Sequence, residues 1–214
     1  MKKKRARKTP ARRKFTRQLA DDRRSALIEA TLRSLTQDGH DGLSVRSIAA
    51  QAGVSIGLIN HHFPNKDELI AAAYRHFHRS LLDSNRAAVA AAGDSPRARM
   101  RAFFEAAFSR PNLDPHVLTG WLVFWSLYRH SREIQRVHQE TYGAYVEFLH
   151  GLIADLPEAK ELRVPLRLAA IGLTALLDGL WLEYCLDPEN FSPQEAAMLC
   201  GHWLDGLARG ESAG

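Results

Sequence analysis

Cysteine is scarce: Cys185 and Cys200 are the only two in 214 residues. That excludes a disulfide framework and fits a reducing interior. No alternating apolar–polar strand pattern and no internal repeat occurs, which leaves an all-α class. No G-x-S-x-G, Walker A or G-x-G-x-x-G string is present, so the chain offers no nucleophile elbow or phosphate cradle and is not expected to be an enzyme. The histidine pairs His61/His62, His76/His78 and His130/His138 do not combine with cysteine or carboxylate at a ligand spacing, so neither metal nor cofactor is expected. Long apolar runs are also missing, with one exception. Residues 168–186 (LAAIGLTALLDGLWLEYCL) are long enough to raise a membrane, but Asp178 sits near the middle and Glu183 follows. A mid-span aspartate costs roughly 2.5–3.5 kcal/mol on insertion. The segment therefore reads as a helix buried in protein, with no membrane partner. The basic start is not followed by an apolar run, so nothing resembles a signal peptide, and a cytoplasmic location is expected.

What is present is an ordinary globular composition, 45% hydrophobic and 25% charged, with a net charge of +5. That charge is unevenly placed. Residues 1–24 carry twelve Lys and Arg against Asp21 and Asp22, whereas the remainder holds 17 basic and 22 acidic residues. A basic arm on a mildly acidic body points to a polyanion, nucleic acid before membrane surface. Residues 1–20 are expected to form a basic arm that is disordered until bound, since they are rich in charge and poor in apolar side chains.

About nine helices are predicted. The first begins near Asp21, with Leu27, Ile28, Thr31, Leu32 and Leu35 at helical steps, and ends at Gly39 before a loop at His40–Gly42. Two short helices follow, Val45–Ala52 and Ile56–Phe63, capped by Ser44 and Ser55 and joined through Gly53-Val54-Ser55. A long amphipathic helix opens at Asn65 or Lys66 and runs to about Ala92. Breakers then separate helices at 96–110, 116–130, 131–156, 166–186 and 194–208. The expected boundaries set off the arm at 1–20, a small helical head at 21–68 and a larger helical body at 69–209.

Two short helices around a glycine turn make a helix-turn-helix pattern, and a B-DNA major groove admits one α-helix. Ile48, Ala49 and Ala52 supply a narrow apolar face for close helix approach. Val54 should plug the core, and Ile59 and Phe63 should anchor the second helix inward. That leaves Ser55, Gly57, Asn60 and His61 toward DNA, with Leu58 and His62 near the rim. Asparagine can pair bidentately with adenine, and serine or histidine can meet bases or phosphates. Lys66 and Arg46 are placed to hold phosphates, and Ser44 stands beside them at the start of the first short helix.

The string Leu43–Leu69 (LSVRSIAAQAGVSIGLINHHFPNKDEL) resembles the DNA-binding domain of TetR-type regulators, in its G-V-S turn, a recognition helix ending in H-F and a Lys soon after. The resemblance implies a three-helix head, a larger helical body and a homodimer built from the last two long helices, residues 166–186 and 194–208. It also implies a palindromic double-stranded operator. Most members carry Tyr-Tyr where this chain has Asn60 and His61, which makes His61 a candidate phosphate donor. Gly57–Phe63 (GLINHHF), Trp121–Trp125 (WLVFW) and Leu176–Leu182 (LLDGLWL) are similar to BetI-type repressors, which act on choline-to-betaine genes.

In the body, Trp121, Phe124, Trp125 and Tyr128 share one helix face. Asp178, Trp181 and Tyr184 recur at three-residue steps. Aromatic faces with one carboxylate suit a quaternary ammonium such as choline, which offers charge without a hydrogen-bond donor. Tyr74 and Phe77 are expected to close that site from the long helix, so that a ligand biasing the tilt of this helix would alter the spacing of two reading heads. The bland counterpart is core packing of the same rings. The alternatives are a TetR-type regulator of another small-molecule response and, from a different class, a helical interaction module without sequence-specific DNA binding.

Overall fold

The computed structural model describes residues 10–38 and 44–209, with backbone only for 10–21, 38 and 209. The first nine residues, the expected loop at Gly39–Gly42 and the last five residues lie outside the described residues. Among the described residues there are nine α-helices and no strand. They are α1 (Pro10–Asp38), α2 (Val45–Ala52), α3 (Ile56–His62), α4 (Lys66–Ala91), α5 (Pro96–Ala107), α6 (Pro115–Tyr128), α7 (Arg132–Ala154), α8 (Leu166–Leu186) and α9 (Pro193–Arg209), with a 3-10 turn at Pro157–Glu161. The chain divides into two compact units, Met1–Ala73 and Tyr74–Gly214. The division falls inside α4, a little beyond the boundary expected at residue 68, because the first turns of α4 with buried Leu69 and Ile70 belong to the first unit.

One boundary is corrected outright. α1 begins at Pro10, so residues 10–20 are helical where a disordered arm is expected. Proline is well suited to the first helical position, and the Ala, Arg, Lys, Gln and Leu residues that follow are strong helix formers, so this stretch needs no apolar face to be helical.

In the first unit, α1 buries Leu27, Ile28, Thr31, Ser34 and Leu35, a stripe with helical period. The Thr31 hydroxyl donates to the Leu27 carbonyl at 2.8 Å, which lets a polar side chain sit in that stripe. In the second unit, α5 to α9 and the later turns of α4 enclose a core around Phe103, Phe124, Ile134, Leu149, Ile153 and Leu173. α5 stops at Ala107, earlier than expected, where the Asn112 amide donates to the Ala106 carbonyl at 2.7 Å. α8 is long and apolar enough to cross a membrane by length and composition alone. Its Ala169, Ala170, Leu173, Thr174, Leu177 and Trp181 are buried within the second unit. α8 and α9 also meet closely: a Cβ on Gly172 would lie 2.8 Å from the Trp203 ring, so a larger residue there would force the indole to shift.

Candidate DNA-reading face and effector cavity

The reading face is built by local rules. Ser44 caps α2 by accepting from the Ser47 amide at 3.0 Å, and the Ser47 hydroxyl answers by accepting from the Ser44 amide at 2.9 Å. This reciprocal arrangement satisfies donors that a helix start leaves orphaned. Gly53 ends α2 with φ of 64°, a conformation that costs a β-carbon-bearing residue energy but suits glycine. Ser55 then caps α3, accepting from the Leu58 amide at 3.3 Å. With both ends of the turn tied down, α3 is rotated so that Ile59 and Phe63 are buried while Ser55, Gly57, Asn60 and His61 are exposed. Leu58, His62 and Lys66 are half-buried and Arg46 is exposed. Val54, expected to plug the core, is only half-buried. Ser44 and Ser55 therefore act first as caps.

Two features of this face are not in the sequence-based set. Ile56, the first residue of α3, is 41% exposed, an apolar side chain on the outward side of the helix. Arg24 of α1 lays its guanidinium over the Phe63 ring at 4.8 Å. Burial first, and then the positive charges of His61, Arg24 and Arg23, lower the His62 pKa. Cationic groups of α1 thus gather at the C-terminal end of α3. Their signal in the sequence is hidden, because Arg23 and Arg24 fall in the first turn of the predicted first helix and stand out only as part of the N-terminal charge excess.

In the second unit, α4, α6, α7 and α8 surround a cavity of about 30 Å³. Of the predicted ligand residues, Trp121, Trp125, Asp178 and Trp181 line it. Tyr74, Phe77, Phe124, Tyr128 and Tyr184 do not. Phe124 is fully buried, with the Tyr74 and Phe77 rings 4.4 and 5.7 Å away, and fills the core behind the indoles. Tyr128 meets the His138 ring edge-on at 5.1 Å. Tyr184 packs against Phe191 at 5.9 Å and lines a separate groove with Phe108 and Pro193. Two three-residue steps rotate a helical position by about 120° from its starting face, so Tyr184 leaves the side that Asp178 occupies.

The cavity also takes in His78, His138, Tyr142 and Tyr145, which sequence reasoning misses. His138, Tyr142 and Tyr145 recur at four- and three-residue steps on α7, and His78 stands four residues after Tyr74 on α4, so the signal was a second aromatic stripe. The ring of His78 meets Trp121 edge-on at 4.5 Å, and Trp121 lies 5.6 Å from Trp181. Most polar groups of this wall are satisfied. The Tyr74 hydroxyl is 2.9 Å from His138 Nδ1, Trp181 Nε1 donates to the Ala107 carbonyl at 3.1 Å, and the Thr174 hydroxyl donates to the Ala170 carbonyl at 2.9 Å.

Asp178 differs. Among the described residues neither a salt bridge nor a hydrogen bond partners its carboxylate, and burial alone raises its pKa to about 6. Burial likewise drives the His78 pKa down, with His138 adding to the effect, to about 3, so this imidazole is neutral at physiological pH. Burial also lowers His138. Tyr74, Tyr142 and Tyr145 are all raised, by burial first and by the Asp178 charge second. The net result is one anionic group held among aromatic rings and neutral polar groups, an environment matched to a cation.

An exposed recognition helix in one unit and an enclosed aromatic cavity with a lone carboxylate in the other define a DNA-binding regulator with a place for a small molecule. The comparisons agree. The model for bacterial regulatory proteins of the tetR family matches residues 27–73, and the model for the BetI-type transcriptional repressor C-terminal domain matches residues 96–209. The HTH-type transcriptional regulator BetI of Burkholderia thailandensis is 38% identical over 184 residues, covering 86% of this chain and 92% of its own. That of Burkholderia mallei is 38% identical over 188 residues, with 86% and 93% covered. A crystal structure from Pseudomonas aeruginosa PAO1 shares 45% identity and a TM-score of 0.81, covering 89% of this chain and 92% of that one. A Saccharomonospora viridis protein solved in complex with choline shares the fold at 19% identity and a TM-score of 0.73, over 86% of this chain and 96% of that one. The chain belongs to the TetR family of transcriptional regulators and carries the BetI-type C-terminal domain. Members of this family bind operator DNA and small-molecule effectors, typically as dimers. This displaces the interaction-module reading and agrees with the expectation that the chain is not an enzyme.

Proposed function

We propose that the protein is a cytoplasmic repressor whose DNA affinity is set by an organic cation of the quaternary ammonium class, choline being the first ligand to test. The observation that carries this reading is Asp178, a carboxylate enclosed beside Trp121, Trp125 and Trp181 without a cation of its own among the described residues. Indole faces attract a quaternary ammonium through their quadrupole, and the carboxylate balances its charge. The choline complex of the Saccharomonospora viridis protein is consistent with this. A void of about 30 Å³ holds only one or two water-sized groups. A larger ligand must therefore displace part of the wall. Trp125 is the half-exposed member, and it also borders the small neighbouring void near Leu122 and Cys185.

On the DNA side, α3 is proposed to enter the major groove with Asn60 reading a base and His61, Arg46, Lys66 and Arg24 meeting phosphates. Ile56 adds an apolar surface suited to a thymine methyl group. The operator is palindromic because two copies read it, paired through residues 166–186 and 194–208. The exposed apolar residues of these helices, Leu168, Leu186, Met198 and Leu199, support that pairing. The effector acts because α4 is one unbroken helix from Lys66, beside the reading helix in sequence, to the cavity residues His78, Leu81 and Leu82.

The test is a calorimetric titration of the full chain with choline, paired with operator binding at rising choline. Binding accompanied by altered operator affinity is expected. Absence of heat with choline and with other quaternary ammonium ions would reject the cation site.

A further inference from the structure

Two polar atoms in the second unit are buried without a hydrogen-bond partner among the described residues and belong to side chains lining one cavity: His78 Nε2 on α4 and Tyr145 Oη on α7. Buried polar groups are nearly always paired, so two orphans on side chains that line one cavity need an explanation. Their neighbours do not supply it. Tyr74 and His138 are engaged with each other, and Trp181 and Thr174 with backbone carbonyls. The remaining contacts of the two are rings: His78 touches Trp121 and Tyr74 edge-on, and Tyr145 lies beside Phe103.

The chemistry of the pair narrows what would satisfy it. His78 is neutral, so Nε2 offers one lone pair or one N–H according to tautomer. Burial keeps the Tyr145 phenol protonated, so its oxygen donates one hydrogen and accepts another. A hydroxyl, both donor and acceptor, complements either tautomer. A carboxylate would bring a second anion into the cavity that already holds Asp178. A methyl group would leave both atoms orphaned.

We propose that His78 Nε2 and Tyr145 Oη recognise a hydroxyl on the effector, so that the cavity selects a cationic amino alcohol over a bare tetraalkylammonium ion or a zwitterionic carboxylate. This rests on the cation reading of Asp178 and adds a second, neutral contact point. Asp178 and the indoles hold the charged end, and the imidazole–phenol pair reads the other end.

The test titrates the full chain with choline, tetramethylammonium and glycine betaine, and repeats the titrations with Tyr145→Phe, His78→Leu and His78→Gln. Wild-type protein is expected to bind choline about tenfold or more tighter than tetramethylammonium, the size of one good buried hydrogen bond. Glycine betaine should bind more weakly still. Tyr145→Phe should lower choline affinity about tenfold and leave tetramethylammonium affinity unchanged. His78→Leu should act in the same direction, with His78→Gln restoring part of the loss. Circular dichroism and thermal unfolding establish that each variant is folded, and two independent positions keep the test decisive if one variant is not. Equal wild-type affinity for choline and tetramethylammonium overturns the hydroxyl contact while leaving the cation site standing. So does an equal loss of both ligands in the folded variants, which marks a structural role. If neither cation binds the wild type, the cation reading fails and this proposal fails with it.

Discussion

Asn60 and His61 stand in solvent on a helix of seven residues, while Asp178, His78 and Tyr145 are enclosed by four helices. Each region handles its polar groups in the opposite way. In the helix-turn-helix unit, the caps at Ser44 and Ser55 satisfy the backbone locally, and the helix is left as a rod with an outward polar side. In the second unit, a half-buried carboxylate, a buried imidazole nitrogen and a buried phenol have no partner among the described residues. If the first surface enters a groove as proposed, it gains from completeness, and if the cavity takes a small molecule as proposed, it gains from being left incomplete, because the ligand then supplies the missing partner.

That contrast can be broken or sharpened by substitution. The largest effect is expected for Asp178→Asn. Removing the one charge that balances a cation should weaken choline binding by about a hundredfold, near 2–3 kcal/mol. Unliganded protein should unfold at a higher temperature, since a half-buried charge with no partner among the described residues has been removed. Calorimetry and thermal denaturation check both, and unchanged choline affinity would break the comparison. Next, Asn60→Ala should relax preference at one operator position by about 1–3 kcal/mol if it reads adenine, without changing thermal stability. Binding to a panel of single-base operator variants measures this, and an unaltered preference profile would remove Asn60 from the reading set.

The third effect is a pH dependence carried by Asp178, whose pKa is raised to about 6. At pH 5 about a tenth of it is ionised and at pH 7 about nine tenths, so choline affinity should fall about tenfold between pH 7 and pH 5. His78 and His138, which face the same cavity, have lowered pKa values, and protonation of either would act in the same direction. For the unliganded fold the sign is reversed. A carboxylate raised on folding contributes stability below its unfolded pKa, near 4, and that contribution is lost as pH rises through about 6. Titrations across this range in wild type and Asp178→Asn isolate the effect, because the variant should show a flat profile from this group. The smallest effect is expected for Ser55→Ala, which removes the cap of α3 and should cost about 1 kcal/mol in thermal or denaturant unfolding.

Much of the reading face was visible in the residues themselves. Ser44, Gly53 and Ser55 mark helix ends by chemistry that acts within four positions, and Ile59 and Phe63 mark the inner side by spacing. The cavity was half visible. Trp121, Trp125, Asp178 and Trp181 were found as faces of single helices, but so were Phe124 and Tyr128, which the fold uses as packing. The stripe His138, Tyr142, Tyr145 carries the same periodicity as the Trp121 stripe and nothing local distinguishes the two. Tyr74 illustrates the limit: its ring belongs to the core beside Phe124, and its hydroxyl meets a histidine 64 positions away.

The order of residues alone determined where helices begin and turn, which side of α3 faces water, and which family the chain resembles, because caps, glycine conformations and helical periods are short-range effects. Only the tertiary structure decided that His78, Trp121, Tyr145 and Asp178 share one enclosure and that two of their polar atoms have no partner among the described residues. A helix's period sets the direction a side chain points relative to its own axis, and the packing of distant helices sets what stands on the other side.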